Sequence, residues 1–186
     1  MWFLGSLMTD ENIIINRVVD GEIDCFEVLV QRYQRPVIGM INNLINDRHM
    51  CEDIAQDVFF AAYKKLHAFD PARSSFSTWL FTIARNKSIN VLRKKKIFTA
   101  DKLPEKPDLH NPADGIEHRE FCEKLEKAFQ NLSVKQKTAF VLAEFEDLPY
   151  EEIAQIEAAK IGTIKSRINR AKKKLRYILK DQADKL

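Results

Sequence analysis

The sequence predicts an all-α fold of two small helical domains joined by a flexible linker. Only five glycines occur in 186 residues. Apolar residues recur at helical spacing along nearly the whole chain, and no segment sustains the period-2 alternation of a strand. One break in composition divides the pattern. Between residues 99 and 118 stand three of the six prolines, Pro104, Pro107 and Pro112, interleaved with Asp101, Glu105, Asp108 and Asp114. Proline removes backbone donors and the acids resist burial, so little helix is expected there. The expected division is therefore a first domain at 9–98, a linker at 99–118 and a second domain at 119–182. With hydrophobic residues at 45%, both domains can build cores.

Each helix follows from local spacing. Ile13, Ile14, Val18, Ile23, Phe26, Leu29, Val30 and Tyr33 trace apolar stripes interrupted at Gly21, which reads as two short helices. Pro36 is expected to open another, carrying Val37, Met40, Ile41, Leu44 and Ile45. Residues 50–66 form a strong helix with Ile54, Val58, Ala61 and Ala62 on one side. Its opposite face holds Asp53, Gln56, Asp57, Phe60 and Lys64 at i, i+3, i+4, i+7 and i+11. A turn at 70–73 precedes a helix at about 76–96. The second domain resumes with Phe121, Leu125, Ala128, Phe129 and Leu132, and Ser133 then caps a helix bearing Ala139, Phe140, Leu142, Ala143 and Phe145.

Several function classes are excluded. The apolar opening, Met1 to Leu7, lacks a basic leader region and meets Asp10 and Glu11 too early for a signal peptide. No apolar run reaches the roughly 18–20 residues of a membrane span, so a cytoplasmic protein without membrane insertion is expected. Met8, followed by Thr9, Asp10 and Glu11, suits a helix start and is the expected native initiator. Cys25, Cys51 and Cys122 are too few and too scattered for a disulfide framework and read as small buried hydrophobes in a reducing compartment. His118 and Cys122 could supply two metal ligands, but a structural zinc site wants four, so no metal or other cofactor is expected. Phosphate loop, His-Glu-x-x-His and nucleophile elbow are all missing, and no catalytic residue is assigned.

Two segments carry the chemistry of nucleic-acid binding, although the formal net charge is only +3. Residues 71–100 contain no acid but include Arg73, Arg85, Lys87, Arg93, Lys94, Lys95 and Lys96. Phe76, Trp79 and Phe81 lie among them, either as a platform for unpaired bases or as core at helical spacing. The second segment is sharper. A short helix from Pro149 to Ile156 is followed by a turn and a helix from about Ile161. Ala154 permits a close crossing, as a helix-turn-helix requires. From 160 to 180, nine residues are Lys or Arg and none is acidic, the pattern of a recognition helix flanked by phosphate contacts.

The run Ile161-Gly162-Thr163-Ile164-Lys165-Ser166-Arg167-Ile168-Asn169-Arg170-Ala171, preceded by Glu152-Ile153-Ala154, resembles the fourth-domain helix-turn-helix of the extracytoplasmic-function (ECF) sigma factors of the sigma-70 family. Asp53-Ile54-Ala55-Gln56-Asp57-Val58-Phe59, followed by Phe76-Ser77-Thr78-Trp79-Leu80 and Ile83-Ala84-Arg85-Asn86, is similar to the second domain of that family. Both halves occur in the family's order, and the resemblance covers about residues 9–180.

The resemblance implies a non-enzymatic factor that carries core RNA polymerase to promoters. Asp53, Gln56, Asp57 and Phe60 would dock on the β′ coiled coil, and the second domain would meet the β flap. Phe76, Trp79, Arg85, Asn86, Asn90, Arg93 and Lys94 would contact the opened minus-ten element. Thr163, Lys165, Ser166, Asn169 and Arg170 would face the minus-thirty-five major groove, with Arg167 and Lys173 on phosphate. It also implies an anti-sigma factor as partner. Two departures stand out: Ala158 occupies a turn position usually held by Gly, and Lys160 replaces the Ser that usually caps the recognition helix. The rival reading is a stand-alone helix-turn-helix regulator, which would leave the basic, aromatic segment before residue 100 without a role.

Overall fold

The computed structural model describes residues 2–45, 47–98, 128–129 and 131–183, with side chains described at 11–45, 47–94, 128–129 and 131–178. Every regular element among the described residues is helical: α1 (Trp2–Val19), α2 (Phe26–Ile45), α3 (Arg48–Lys65), α4 (Phe76–Phe98), α5 (Val134–Glu144), α6 (Tyr150–Ile156) and α7 (Ile161–Ala183). Short 3-10 turns follow α1 at Ile23–Cys25 and α3 at Leu66–Ala68. The expected linker, Phe121, Leu125 and the His118–Cys122 pair lie outside the described residues. The chain divides into two compact units, Met1–Asn90 and Val91–Leu186, so the division falls within α4.

In the first unit α2 packs on both α1 and α3. Its core comprises Ile15 and Val18 of α1, Leu29, Val37, Met40 and Ile41 of α2, and Ile54, Val58 and Ala62 of α3. Helix α1 ends at the glycine break. Gly21 adopts φ 105, and its N–H and that of Glu22 donate to the carbonyls of Val18 and Arg17 at 3.1 and 2.9 Å. This is a Schellman closure, whose left-handed residue favours glycine. The side chain of Asp47 caps α3 by accepting from the Met50 N–H at 3.2 Å. Ser75 does the same for α4, accepting from the Thr78 N–H at 3.2 Å.

Two expectations are corrected. Helix α1 does not begin at Met8 but runs unbroken from Trp2. Nor does Pro36 open a helix, since it lies inside α2. A proline within a helix forfeits its own N–H bond, here to the carbonyl of Arg32, and its ring crowds that carbonyl, at a cost of about 3 kcal/mol that the packing of α2 must offset. Arg32 is exposed, so water can replace that donor. The buried stripe continues across the proline through Leu29, Val37 and Met40, which holds the two halves in one helix.

The second unit has α5 packed on α6 and α7, and α6 packed on α7. Ser133 forms a capping box with Gln136: its hydroxyl accepts from the Gln136 N–H at 3.3 Å, and its N–H donates to Gln136 Oε1 at 3.2 Å. The buried stripe of α7, Ile164, Ile168, Ala171 and Leu175, follows i, i+4, i+7 and i+11 and is matched by buried Ile153, Ala154 and Ile156 of α6. Phe129, Phe140 and Phe145 form an aromatic cluster with ring centroids 5.6 to 6.2 Å apart.

Between α5 and α6, half-buried Glu146 has its carboxyl pushed up to about 7 by desolvation. A carboxyl with a raised folded pKa binds more protons folded than unfolded. This group's contribution is therefore most favourable below its unfolded pKa of 4.5 and is lost as pH rises toward about 7. Glu146→Gln is expected to flatten that part of the stability–pH profile and to raise the melting temperature at pH 8. A variant that melts as the parent does at both pH 5 and pH 8 would contradict the reading.

Candidate nucleic-acid interface

Helix α7 is two-sided by construction. With Ile164, Ile168, Ala171 and Leu175 turned to the core, Thr163, Lys165, Ser166, Asn169, Arg170 and Lys173 are exposed. Ser166, Arg170 and Lys173 share one stripe at i, i+4 and i+7, with Asn169 beside it. Some of the basic charge is used within the unit. Lys172 bonds Glu144 at 2.8 Å, and that hydrogen bond raises the pKa of its ammonium above the usual value. Lys174 donates to the Asn131 carbonyl at 2.9 Å. Lys165, Arg170, Lys173 and Arg176 remain as exposed cations along the helix.

Arg167 is engaged within the unit. Its Nη1 donates to Glu157 Oε2 at 2.8 Å; the Glu157 side chain is 0% exposed and that of Arg167 only 19%. Arg167 thus has an internal ion-pair partner that the basic run around it did not signal.

The turn that presents α7 closes as the α1 terminus does. The N–H groups of Ala158 and Ala159 donate to the carbonyls of Gln155 and Ala154 at 3.1 and 2.9 Å, and Ala158 adopts φ 47. An alanine thus fills the left-handed position that Gly21 fills in the first unit, at a cost of about 1–2 kcal/mol in Cβ crowding, partly offset because alanine loses less backbone entropy than glycine on folding. At the start of α7 only backbone is engaged: the Lys160 carbonyl accepts from Thr163 and Ile164 at 2.8 and 3.2 Å. A lysine side chain has no acceptor to cap the remaining N–H groups. Ala158→Gly is expected to stabilise the second unit by about 1 kcal/mol, or roughly 4–8 °C for a unit this small. A calorimetric scan showing an unchanged or lowered transition would count against it.

Helix α4 carries the other basic segment. Asn86, Asn90, Arg93 and Lys94 are exposed, and half-buried Arg85 donates to Asn86 Oδ1 at 2.9 Å. Phe76 lies in the core. It is 2% exposed, and its ring lies 5.4, 5.6 and 5.7 Å from those of Tyr33, Phe69 and Trp79. A ring closed in on those sides has no face left for a base. Phe81 is likewise buried, whereas Trp79, packed against Phe69 at 5.4 Å, is only half-buried. Of the three aromatic candidates, Trp79 keeps the most accessible surface.

On α3, Asp53, Gln56, Asp57 and Phe60 all face solvent, with Phe60 58% exposed and the Lys64 ammonium 4.2 Å from its ring centroid. Asp57 Oδ2 accepts from Lys87 of α4 at 3.0 Å, which ties the acidic face to the basic helix. Sequence spacing found both faces and missed this bond between them, because Asp57 and Lys87 lie 30 residues apart.

The order of these parts along the chain, an acidic helix, then a basic aromatic helix, then a helix-turn-helix, coincides with two family models. Residues 29–97 match Sigma-70 region 2 and residues 122–175 match Sigma-70, region 4. The chain is 36% identical to the ECF RNA polymerase sigma factor RpoE of Cereibacter sphaeroides over 81% of its own length and 84% of that protein's. It is 32% identical to the RNA polymerase sigma-H factor of Pseudomonas aeruginosa, over 86% and 88%. The chain belongs to the ECF sigma factors of the sigma-70 family. A sigma factor directs RNA polymerase to promoters, and the rival of a stand-alone regulator, which has no use for region 2, is not favoured. The sigma factor RpoE of Bartonella quintana, solved in complex with the anti-sigma factor NepR, superposes on this sigma factor with a TM-score of 0.69 at 28% identity, covering 83% of this chain and 96% of that one. No helix among the described residues is long and apolar enough to cross a membrane. Nor does any group of three or more His, Cys, Asp or Glu among them fit a metal ion.

Proposed function

We propose that this sigma factor holds core RNA polymerase through α3 and reads its promoter with two surfaces, α4 at the minus-ten element and α7 at the minus-thirty-five element. The observation that carries the reading is the exposed stripe of α7, Lys165, Ser166, Asn169, Arg170 and Lys173, set opposite a fully apolar buried stripe. Arginine and lysine suit guanine edges, and asparagine can pair with adenine. On α4, Trp79 offers a surface for an unstacked base, while Arg85, Asn86, Asn90, Arg93 and Lys94 supply polar and cationic contacts.

Asp53, Gln56, Asp57 and Phe60 form the proposed contact with the β′ coiled coil, where acids on a helix face complement basic residues and set register and on-rate. The second unit is proposed to meet the β flap. The domains are proposed at 9–98 and 119–182, with residues 99–118 acting as an acidic, proline-rich strap that lets each reach its own promoter element. An anti-sigma factor is a proposed partner, as for the Bartonella relative. The protein acts in the cytoplasm and performs no catalytic step of its own.

Runoff transcription with core polymerase and genomic DNA tests the whole reading; absence of any specific start site would remove it. Asp57→Lys tests the polymerase face. Core binding is expected to fall at least tenfold while the melting temperature of the first unit changes little, since Asp57 is exposed and its single bond to Lys87 lies at the surface. Undiminished retention of the folded variant on immobilised core enzyme would overturn that assignment.

A further inference from the structure

The part-buried Glu157–Arg167 pair is not part of the proposed DNA surface, and it spans the turn that aims α7. Glu157 is the last residue of the α6 cap, directly before left-handed Ala158, and Arg167 lies in the second turn of α7. Apolar packing of Ile153, Ala154 and Ile156 against α7 favours burial but is not directional. A charge-assisted bond at 2.8 Å is directional. Neither glycine at 158 nor a side-chain cap at 160 pre-organises the turn, so this bond supplies an angular constraint that those devices would otherwise give.

Arg167 also neighbours the DNA-facing stripe, one residue after Ser166 and three before Arg170. An unpaired guanidinium there is within reach of a phosphate, where it would strengthen binding to any sequence. We propose that Glu157 is a positioning residue for minus-thirty-five recognition: it withdraws Arg167 from the DNA backbone and uses it to fix the angle at which α7 enters the major groove. The proposal rests on the reading of α7 given above. Its consequence is a gain in discrimination between sequences, obtained by giving up one non-specific contact.

The test uses the full chain assembled with core polymerase, on promoter DNA with an intact minus-ten element and either the native or a scrambled minus-thirty-five element, over a range of salt. Glu157→Leu is expected to lower affinity for the native element about tenfold and to leave binding to scrambled DNA no weaker. The freed Arg167 should steepen the dependence of log K on log salt by about 0.9, the increment for one phosphate. Glu157→Gln, which keeps a hydrogen-bond acceptor, should retain intermediate discrimination. Glu157→Leu with Arg167→Met removes both charges, and such double replacement usually preserves or raises stability. It is expected to melt at or above the parent temperature, to return the salt slope to the parent value, and still to discriminate about tenfold less. A role in stability alone would leave the discrimination of this folded double variant at the parent level, and that result would overturn the proposal, as would an unchanged salt slope in Glu157→Leu. Failure of the parent itself to discriminate native from scrambled DNA would instead strike the assignment of α7.

Discussion

Phe76→Ala is expected to destabilise the first unit by about 3–5 kcal/mol, the usual loss when a buried phenylalanine is cut to alanine. The side chain is almost wholly enclosed between Tyr33, Phe69 and Trp79, so its removal leaves a cavity that three rings must border. Domains of this size have only about 5–15 kcal/mol in reserve, so the loss removes a large share of it and the variant should melt far below the parent. Tyr33 adds to the cost because it is held on its other side, with its hydroxyl donating to Glu11 Oε1 at 2.6 Å. A urea melt with the parent midpoint would show that Phe76 is not core. Trp79→Ala should act differently, weakening binding to opened minus-ten DNA more than it lowers stability.

Arg170→Ala is expected to weaken promoter binding by about 1–3 kcal/mol, the value of one good bidentate base contact, and to do so only where the contacted base is present. Lys173→Ala should lower affinity for native and scrambled elements alike and reduce the salt slope by about 0.9. The two side chains are one helical turn apart on the same exposed stripe, so they differ in depth of entry into the groove rather than in orientation. Equal, sequence-independent losses for both variants would contradict base reading by α7.

Helical character was legible because glycine is scarce and apolar spacing is regular; the acidic face of α3 and the outward stripe of α7 followed from the same periodicity. Caps at Ser133 and the break at Gly21 were legible because each depends on residues three or four positions away. What spacing does not reveal has a common cause. Periodicity marks Phe76 as lying on an apolar stripe but does not say that Tyr33 and Phe69 close over it. A basic run marks Arg167 as cationic but does not reveal a carboxylate ten positions earlier, folded onto the same turn. The local chemistry of Pro36 allows a helix start, while packing on both sides of it keeps α2 continuous.

The sequence by itself determined the helical class, the two-part organisation, the helix-turn-helix and the family, since each is written in residue types at short, fixed spacing. Tertiary structure alone decided which aromatic side chains are core and which arginine is paired with a carboxylate. It also joined Asp57 to Lys87. The physical reason is that spacing along a chain orients a side chain, whereas burial and ion pairing depend on what another helix brings to meet it.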